Sequence, residues 1–113
     1  MTSQGNAPPR FQRAIKRGHV LHAEMAAREL GALSPPDALA LVLLYQRHGD
    51  AKFERAARRW VRRVQIDHAL RHHEVELLRA AAGALGSRFH DAALSVLVET
   101  CRKRALPAPT LPP

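Results

Sequence analysis

The sequence predicts an all-α protein, a compact bundle of five to six helices in antiparallel hairpins. Three observations carry this expectation. Apolar residues recur at three- and four-residue spacing along most of the 113 residues. Glycine and proline fall mainly at the edges of these runs, where helices start and stop. Aromatics make up only 4% of a chain that is 46% hydrophobic, so the core must be built from Ala, Leu and Val, which suits close helix packing better than a sheet.

The elements follow in order. Residues 1–8 are small and polar and read as a disordered tail. A helical domain then covers 9–104, and the Pro-rich stretch 105–113 reads as a second disordered tail. Pro9 opens a first helix with Phe11, Ala14 and Ile15 on one side and Arg10, Arg13 and Arg17 on the other; Gly18 stops it. The next helix, His19 to Leu30, carries Val20, Ala23, Ala27 and Leu30 at helical spacing, with Leu21 and Met25 beside them. Ser34, Pro35 and Asp37 form a start signal for a third helix, which is apolar on nearly every side from Ala38 to Tyr45. Such a helix must be buried on several sides, as the centre of the fold.

Asp50 is placed to cap a fourth helix whose stripe is Phe53, Ala56, Ala57, Trp60, Val61 and Val64. Residues 65–73 read equally as helix or turn. A fifth helix covers 72–85, with Leu77, Leu78, Ala81 and Leu85 inward. Ser87 opens a sixth, with Phe89, Ala92, Ala93, Val96, Leu97 and Cys101 inward. The stretches GALSPPDALALVLL (31–44) and GALGSRFHDAALSVLV (83–98) echo each other, which predicts two similar hairpins joined by the helix carrying Trp60.

Between residues 38 and 64, Leu41, Val42 and Tyr45 are followed by Ala56 and Trp60. This resembles a single tetratricopeptide-like helical hairpin, about a quarter of the chain. Val42 stands where such repeats place a small residue, and the step from Tyr45 to Ala56 is too long by about two residues for that pattern. The resemblance implies a protein-binding module.

Charge narrows the choice of partners. The formal net charge is +8, and positive charge gathers in GDAKFERAARRWVRR, residues 49–63. Lys52, Arg55, Arg58, Arg59, Arg62 and Arg63 fall opposite Phe53, Ala56, Trp60 and Val64. Two readings follow. In the first, the chain is a small non-catalytic protein-interaction module, an adaptor or scaffold, whose surface includes Tyr45, Trp60 and the arginine row and which takes a protein partner or a second copy. In the second, it is a small nucleic-acid-binding regulator that lays the same basic residues on phosphates. Part of the charge order has a simpler origin: Asp50 and Glu54 at the helix start and arginines toward its end suit the helix dipole. The i,i+4 pairs Glu54–Arg58, Glu24–Arg28 and Glu99–Lys103 also support helices on their own.

Other chemistry is thin. His68, His72 and Glu76 are spaced by fours and would align as metal ligands on a continuous helix, but no HExxH, cysteine pair or fourth ligand accompanies them. Cys101 is the sole cysteine, so no internal disulfide forms; it sits beside Arg102, Lys103 and Arg104, yet its place on the apolar stripe predicts a buried thiol. No Gly-rich phosphate loop, nucleophile elbow or converging acid pair points to an enzyme, a cofactor or a small-molecule substrate. The longest apolar run, ALALVLLY, is far short of the ~20 residues of a membrane span. MTSQGNAPPR has no apolar signal-peptide core. These features, with the heavy Ala and Arg usage of a GC-rich genome, predict a bacterial, cytoplasmic protein.

Overall fold

A computed structural model describes residues 7–113, and every regular element among them is helical. The helices are α1 (Ala7–Arg17), α2 (Val20–Leu30), α3 (Pro35–Arg47), α4 (Phe53–His68), α5 (His72–Ala84) and α6 (His90–Lys103). The tail expected at residues 1–8 lies outside the described residues up to residue 6. Ala7 and Pro8 already belong to α1, because a proline in the first turn lacks only an N–H that the helix could not have used.

The local starts and stops follow side-chain chemistry. Gly18 ends α1 with φ +73°, a left-handed conformation that glycine adopts without a Cβ clash. The Ser34 hydroxyl accepts from the Asp37 amide at 3.3 Å, with prolines at the first two positions of α3. Asp50 caps a turn rather than α4 itself: its carboxylate accepts from the Lys52 amide at 2.8 Å, one residue before the helix begins. Residues 65–73, ambiguous in the sequence, divide cleanly. Helix α4 runs through His68, Ala69 turns left-handed at φ 50°, and α5 begins at His72, where Glu74 accepts from the Arg71 amide at 2.9 Å. Ser87 does not open α6. Its hydroxyl accepts from the Phe89 amide at 3.1 Å in the preceding turn, and the helix starts at His90.

The helices pair in sequence as three hairpins: α1 with α2, α3 with α4, and α5 with α6. The echo between 31–44 and 83–98 is therefore not a structural repeat. Its first copy lies on the leading helix of the middle hairpin, its second on the trailing helix of the last, and the Trp60 helix is half of a hairpin rather than a linker. Between hairpins, α3 packs against α1 and α2, and α4 packs against α5. The molecule measures 44 × 29 × 20 Å. The short axis is two helix diameters, so the hairpins stand side by side in two layers. The radius of gyration, 13.6 Å, is close to the ~13 Å of a compact domain of this length, so the stack does not open out.

Two apolar clusters result. Phe11, Ala14, Ile15, Ala23, Ala26, Ala40 and Leu44 join α1, α2 and α3; the small alanines let these helices approach closely. Leu39, Val42, Leu43, Trp60, Val64, Leu78, Leu85 and Leu97 anchor the larger cluster of α3 to α6. Helix α3 thus faces both clusters, as its all-round apolarity requires. Leu77, Phe89 and Ala92, expected inward, are exposed instead, and so are Leu21 and Met25, the residues beside the α2 stripe. Leu21 and Met25 lie on the outer side of α2, whose contacts to its neighbours run through Ala23 and Ala26. Leu77 sits at the edge of α5, where Val75 takes the core position. Phe89 precedes α6, and its ring lies under the Arg88 guanidinium, 4.9 Å from centroid.

The Pro-rich stretch 105–113, expected to be disordered, has no regular structure but lies against the domain. Leu106 packs on the larger cluster, Pro109 is buried, and the Pro113 carbonyl accepts from Arg47 Nε at 2.7 Å.

Because the first hairpin is held mainly through α3, Leu44→Ala is expected to destabilise the fold by about 2–5 kcal/mol. Hydrogen exchange will report the loss first in α1 and α2, with α5 and α6 less affected.

Candidate binding face on α4

Helix α4 carries its charge in a regular pattern. Ala57, Trp60, Val61 and Val64 are buried, and Arg55, Arg58, Arg59 and Arg62 recur at i, i+3, i+4 and i+7 directly opposite. All four arginines are exposed, and none forms an ion pair or a side-chain hydrogen bond among the described residues. At 1.5 Å per residue the stripe runs about 10 Å. Glu54 does not pair with Arg58, so the expected i,i+4 bridge is absent from this helix.

The two outer bases of the predicted set do other work. Lys52 reaches back to α2, where its Nζ lies 2.8 Å from Glu24 Oε2. The same carboxylate oxygen accepts from the Tyr45 hydroxyl at 2.6 Å. Arg63 donates to the Leu33 carbonyl in the α2–α3 turn and pairs with Asp67 at 3.3 Å. Lys52 and Arg63 therefore brace the stack and stand apart from the free stripe.

Tyr45 and Trp60, expected at the partner surface, are core residues, 6% and 3% exposed. Both are aromatic bodies with one polar handle, and each handle is satisfied indoors. The Trp60 indole N–H donates to the Pro35 carbonyl at 2.8 Å, so the ring clamps the start of α3 against α4. An apolar group does adjoin the stripe, but it is a different one. Ile66, four residues beyond Arg62 on the same side of α4, is 67% exposed. Its spacing from Arg59 and Arg62 is the signal that could have found it in the sequence. Glu24 and Arg47 could not be found this way, because their partners lie 28 and 66 residues away.

The metal-ligand alignment does not form. The turn at residues 69–71 puts His68 on α4 and His72 and Glu76 on α5, and no cluster of three or more His, Cys, Asp or Glu among the described residues is placed to hold a metal ion. Cys101 is buried, and burial pushes its thiol pKa up, opposing the effect expected of the adjacent bases. Two of those bases are engaged elsewhere: Arg102 pairs with Glu99, and Arg104 pairs with Glu74 at 2.5 Å. An open cleft between α1 and α2, about 290 Å³, is lined by Arg13, Arg17, His19, His22 and Met25. Its polar walls are exposed side chains over a floor of Ala14 and Ala26, and no buried polar group converges in it. No helix among the described residues is long and apolar enough to cross a membrane.

No protein-family model matches the sequence, and no curated protein or solved structure matches it. Residues 38–64 fall on α3, the α3–α4 turn and α4, with Tyr45 and Trp60 buried.

The Glu24 node makes a pH prediction. Hydrogen bonds from Lys52 and Tyr45 hold its carboxyl below the usual 4.5. A lowered folded-state pKa gives stability that is present above 4.5 and lost as the pH falls through the lowered value. Wild type is therefore expected to exceed Glu24→Gln in urea midpoint at pH 7, and the gap is expected to close as the pH falls below 4. Tyr45→Phe, which removes one hydrogen bond to a charged group, is expected to cost about 1.5–3 kcal/mol.

Proposed function

We propose that this chain is a non-catalytic binding module that takes an acidic protein segment on the outward face of α4. The observation that carries the reading is the stripe of Arg55, Arg58, Arg59 and Arg62, exposed, aligned and without intramolecular partners among the described residues. Arginine is suited to such a role because its planar fork meets a carboxylate through two hydrogen bonds and is less strongly hydrated than an ammonium group. The stripe rides on a helix tied down by Trp60, Lys52 and Arg63, so little ordering is needed when a partner arrives.

Protein is favoured over nucleic acid by what surrounds the stripe. Ile66 offers an apolar contact one turn beyond Arg62, which a side chain of a protein partner can cover and a phosphate backbone cannot use. A different protein is favoured over a second copy. Glu24, Glu29, Asp67, Glu74, Glu76 and Glu99 already hold bases of their own chain, which leaves Asp37, Asp50, Glu54 and Asp91 as the acids without ion pairs. Of these only Asp50 and Glu54 lie together, lining one hollow beside Phe53, so one copy presents too few acids to match another's four arginines. A cytoplasmic location belongs to the same reading.

The second reading, a basic regulator on nucleic acid, rests on the net charge of +8 and on the same arginines. The two separate in one experiment. The double variant Arg59→Glu/Arg62→Glu is expected to weaken binding of an acidic amphipathic peptide at least tenfold, and Ile66→Ser is expected to weaken it further. Fluorescence anisotropy against that peptide and against random-sequence duplex DNA measures both. Tighter DNA binding that falls with salt at a slope of about −0.9 per phosphate, and that ignores Ile66→Ser, would transfer the function to nucleic acid.

A further inference from the structure

Two histidines face each other at the start of α2. His19 stands at the N-cap, where a side chain commonly accepts from a backbone amide two or three residues on. Its ring makes no such bond. Its Nδ1 lies instead 3.3 Å from Nδ1 of His22, with the ring centroids 5.1 Å apart and the planes at 74°. Both residues are exposed, and neither ring has another hydrogen bond among the described residues. A proton between the two nitrogens makes only a long hydrogen bond at this distance. A metal ion fits the spacing better. Bound to two imidazole nitrogens at ~2.0–2.1 Å with a tetrahedral angle, it holds them about 3.3–3.4 Å apart and the ring centroids about 5 Å apart.

A third donor stands beside the pair. Met25 is 51% exposed and lines the same cleft as both histidines. It follows His22 by three residues on α2, which sets the two Cβ atoms about 5–6 Å apart. Helical side chains lean toward the helix start, and methionine has three rotatable bonds with which to bring its sulfur toward the rings. The charges around the cleft are chiefly positive. Arg13 and Arg17 line it without ion pairs among the described residues, and its one acid, Glu29, is held by Arg10.

We infer that His19, His22 and Met25 form a binding site for a soft monovalent metal ion of the copper(I) class. The donor set selects the ion. Thioether and imidazole together suit copper(I), whereas zinc takes imidazole with thiolate or carboxylate, and no carboxylate is free in this cleft. Charge selects it again. Arg13 and Arg17 repel a dication twice as strongly as a monocation, and the site has no acid to offset the second charge. Both Nδ1 atoms must be unprotonated to bind the ion, so the ring that carries a proton there in the metal-free chain moves it to Nε2. This site is separate from the α4 stripe and does not depend on it.

The test adds silver(I), a redox-inert stand-in for copper(I), to the full chain in chloride-free buffer, with NMR as the readout. Cys101→Ala removes the one competing thiol; the wild type is run beside it, with the Cys101 Cβ resonance reporting any silver taken there. The Met25 ε-methyl and the His19 and His22 rings are expected to shift together and saturate at one equivalent. His22→Ala is expected to weaken silver binding at least tenfold and Met25→Leu at least fivefold; both positions are exposed, so the fold is kept. Zinc(II) is expected to bind at least tenfold more weakly than silver, and Arg13→Ala/Arg17→Ala to narrow that gap. A Met25 methyl that stays still while the rings shift would overturn the proposal. So would silver affinity unchanged by His22→Ala, or zinc bound as tightly as silver. Saturable ring shifts with pyrophosphate and none with silver would overturn it too, and make the cleft an anion site.

Discussion

The structure depends on burying α3 from two sides at once. ALALVLLY has no polar face to give to water, so Leu39, Val42 and Leu43 sit in one cluster while Ala40 and Leu44 sit in the other. Each fully buried leucine is worth about 1.5–3 kcal/mol relative to exposure. No other helix among the described residues belongs to both clusters, and none has an apolar circumference that would let it. The first hairpin, whose own core is mostly alanine with Phe11 and Ile15, is held in place because α3 needs a second cover. The two-layer stack is the least arrangement that meets this demand: one hairpin partner in α4 and one neighbouring hairpin in α1 and α2.

Much of this was legible because it is local. Ser34, Pro35 and Asp37 mark a helix start whatever surrounds them, and the stripe Ala57, Trp60, Val61, Val64 has only one way to face a core. The free arginines were legible for the same reason, being the positions opposite that stripe. The failures share a different origin. Leu77 and Phe89, read as inward, lie at the borders of apolar faces, and whether such positions are covered depends on which helix packs there, which spacing alone does not encode. Tyr45 and Trp60 were expected at a partner surface although both lie on apolar faces, Trp60 on the inward stripe itself. Their handles instead found Glu24, 21 residues back, and the Pro35 carbonyl, 25 residues back. Reading 31–44 and 83–98 as matching hairpins failed because similar apolar text serves equally for a leading and a trailing helix.

The long-range polar contacts have a common direction. Lys52 to Glu24, Trp60 to Pro35 and Arg63 to Leu33 all run from α4, or from the turn before it, to the α2–α3 region. They set the rotation of α4 about its axis at its beginning, middle and end. A helix fixed in rotation presents its outer face in one orientation only, so the same three tethers that brace the stack also hold the arginine stripe outward. Fold and candidate site are thus coupled without sharing a residue, apart from the two bases withdrawn from the stripe to serve as tethers.

That withdrawal leaves the stripe electrostatically unbalanced. Arg55 with Arg59 and Arg58 with Arg62 are like-charge pairs at i,i+4, each unfavourable by about 0.2–0.5 kcal/mol in an isolated helix. The dipole offsets some of this only through Glu54 in the first turn of α4, since none of the four arginines lies in its last turn. The rest is carried by the tertiary packing of Trp60, Val61 and Val64. An anionic partner on this face removes the repulsion as it binds, so its contacts are gained together with relief of a cost the free protein already bears. Salt screens the same repulsion through a different effect, lowering both the cost in the free protein and the attraction of the partner. The binding proposed for this face is therefore tied to the unpaired state of these four side chains, and an acid introduced beside them to stabilise α4 would act at the proposed partner's expense.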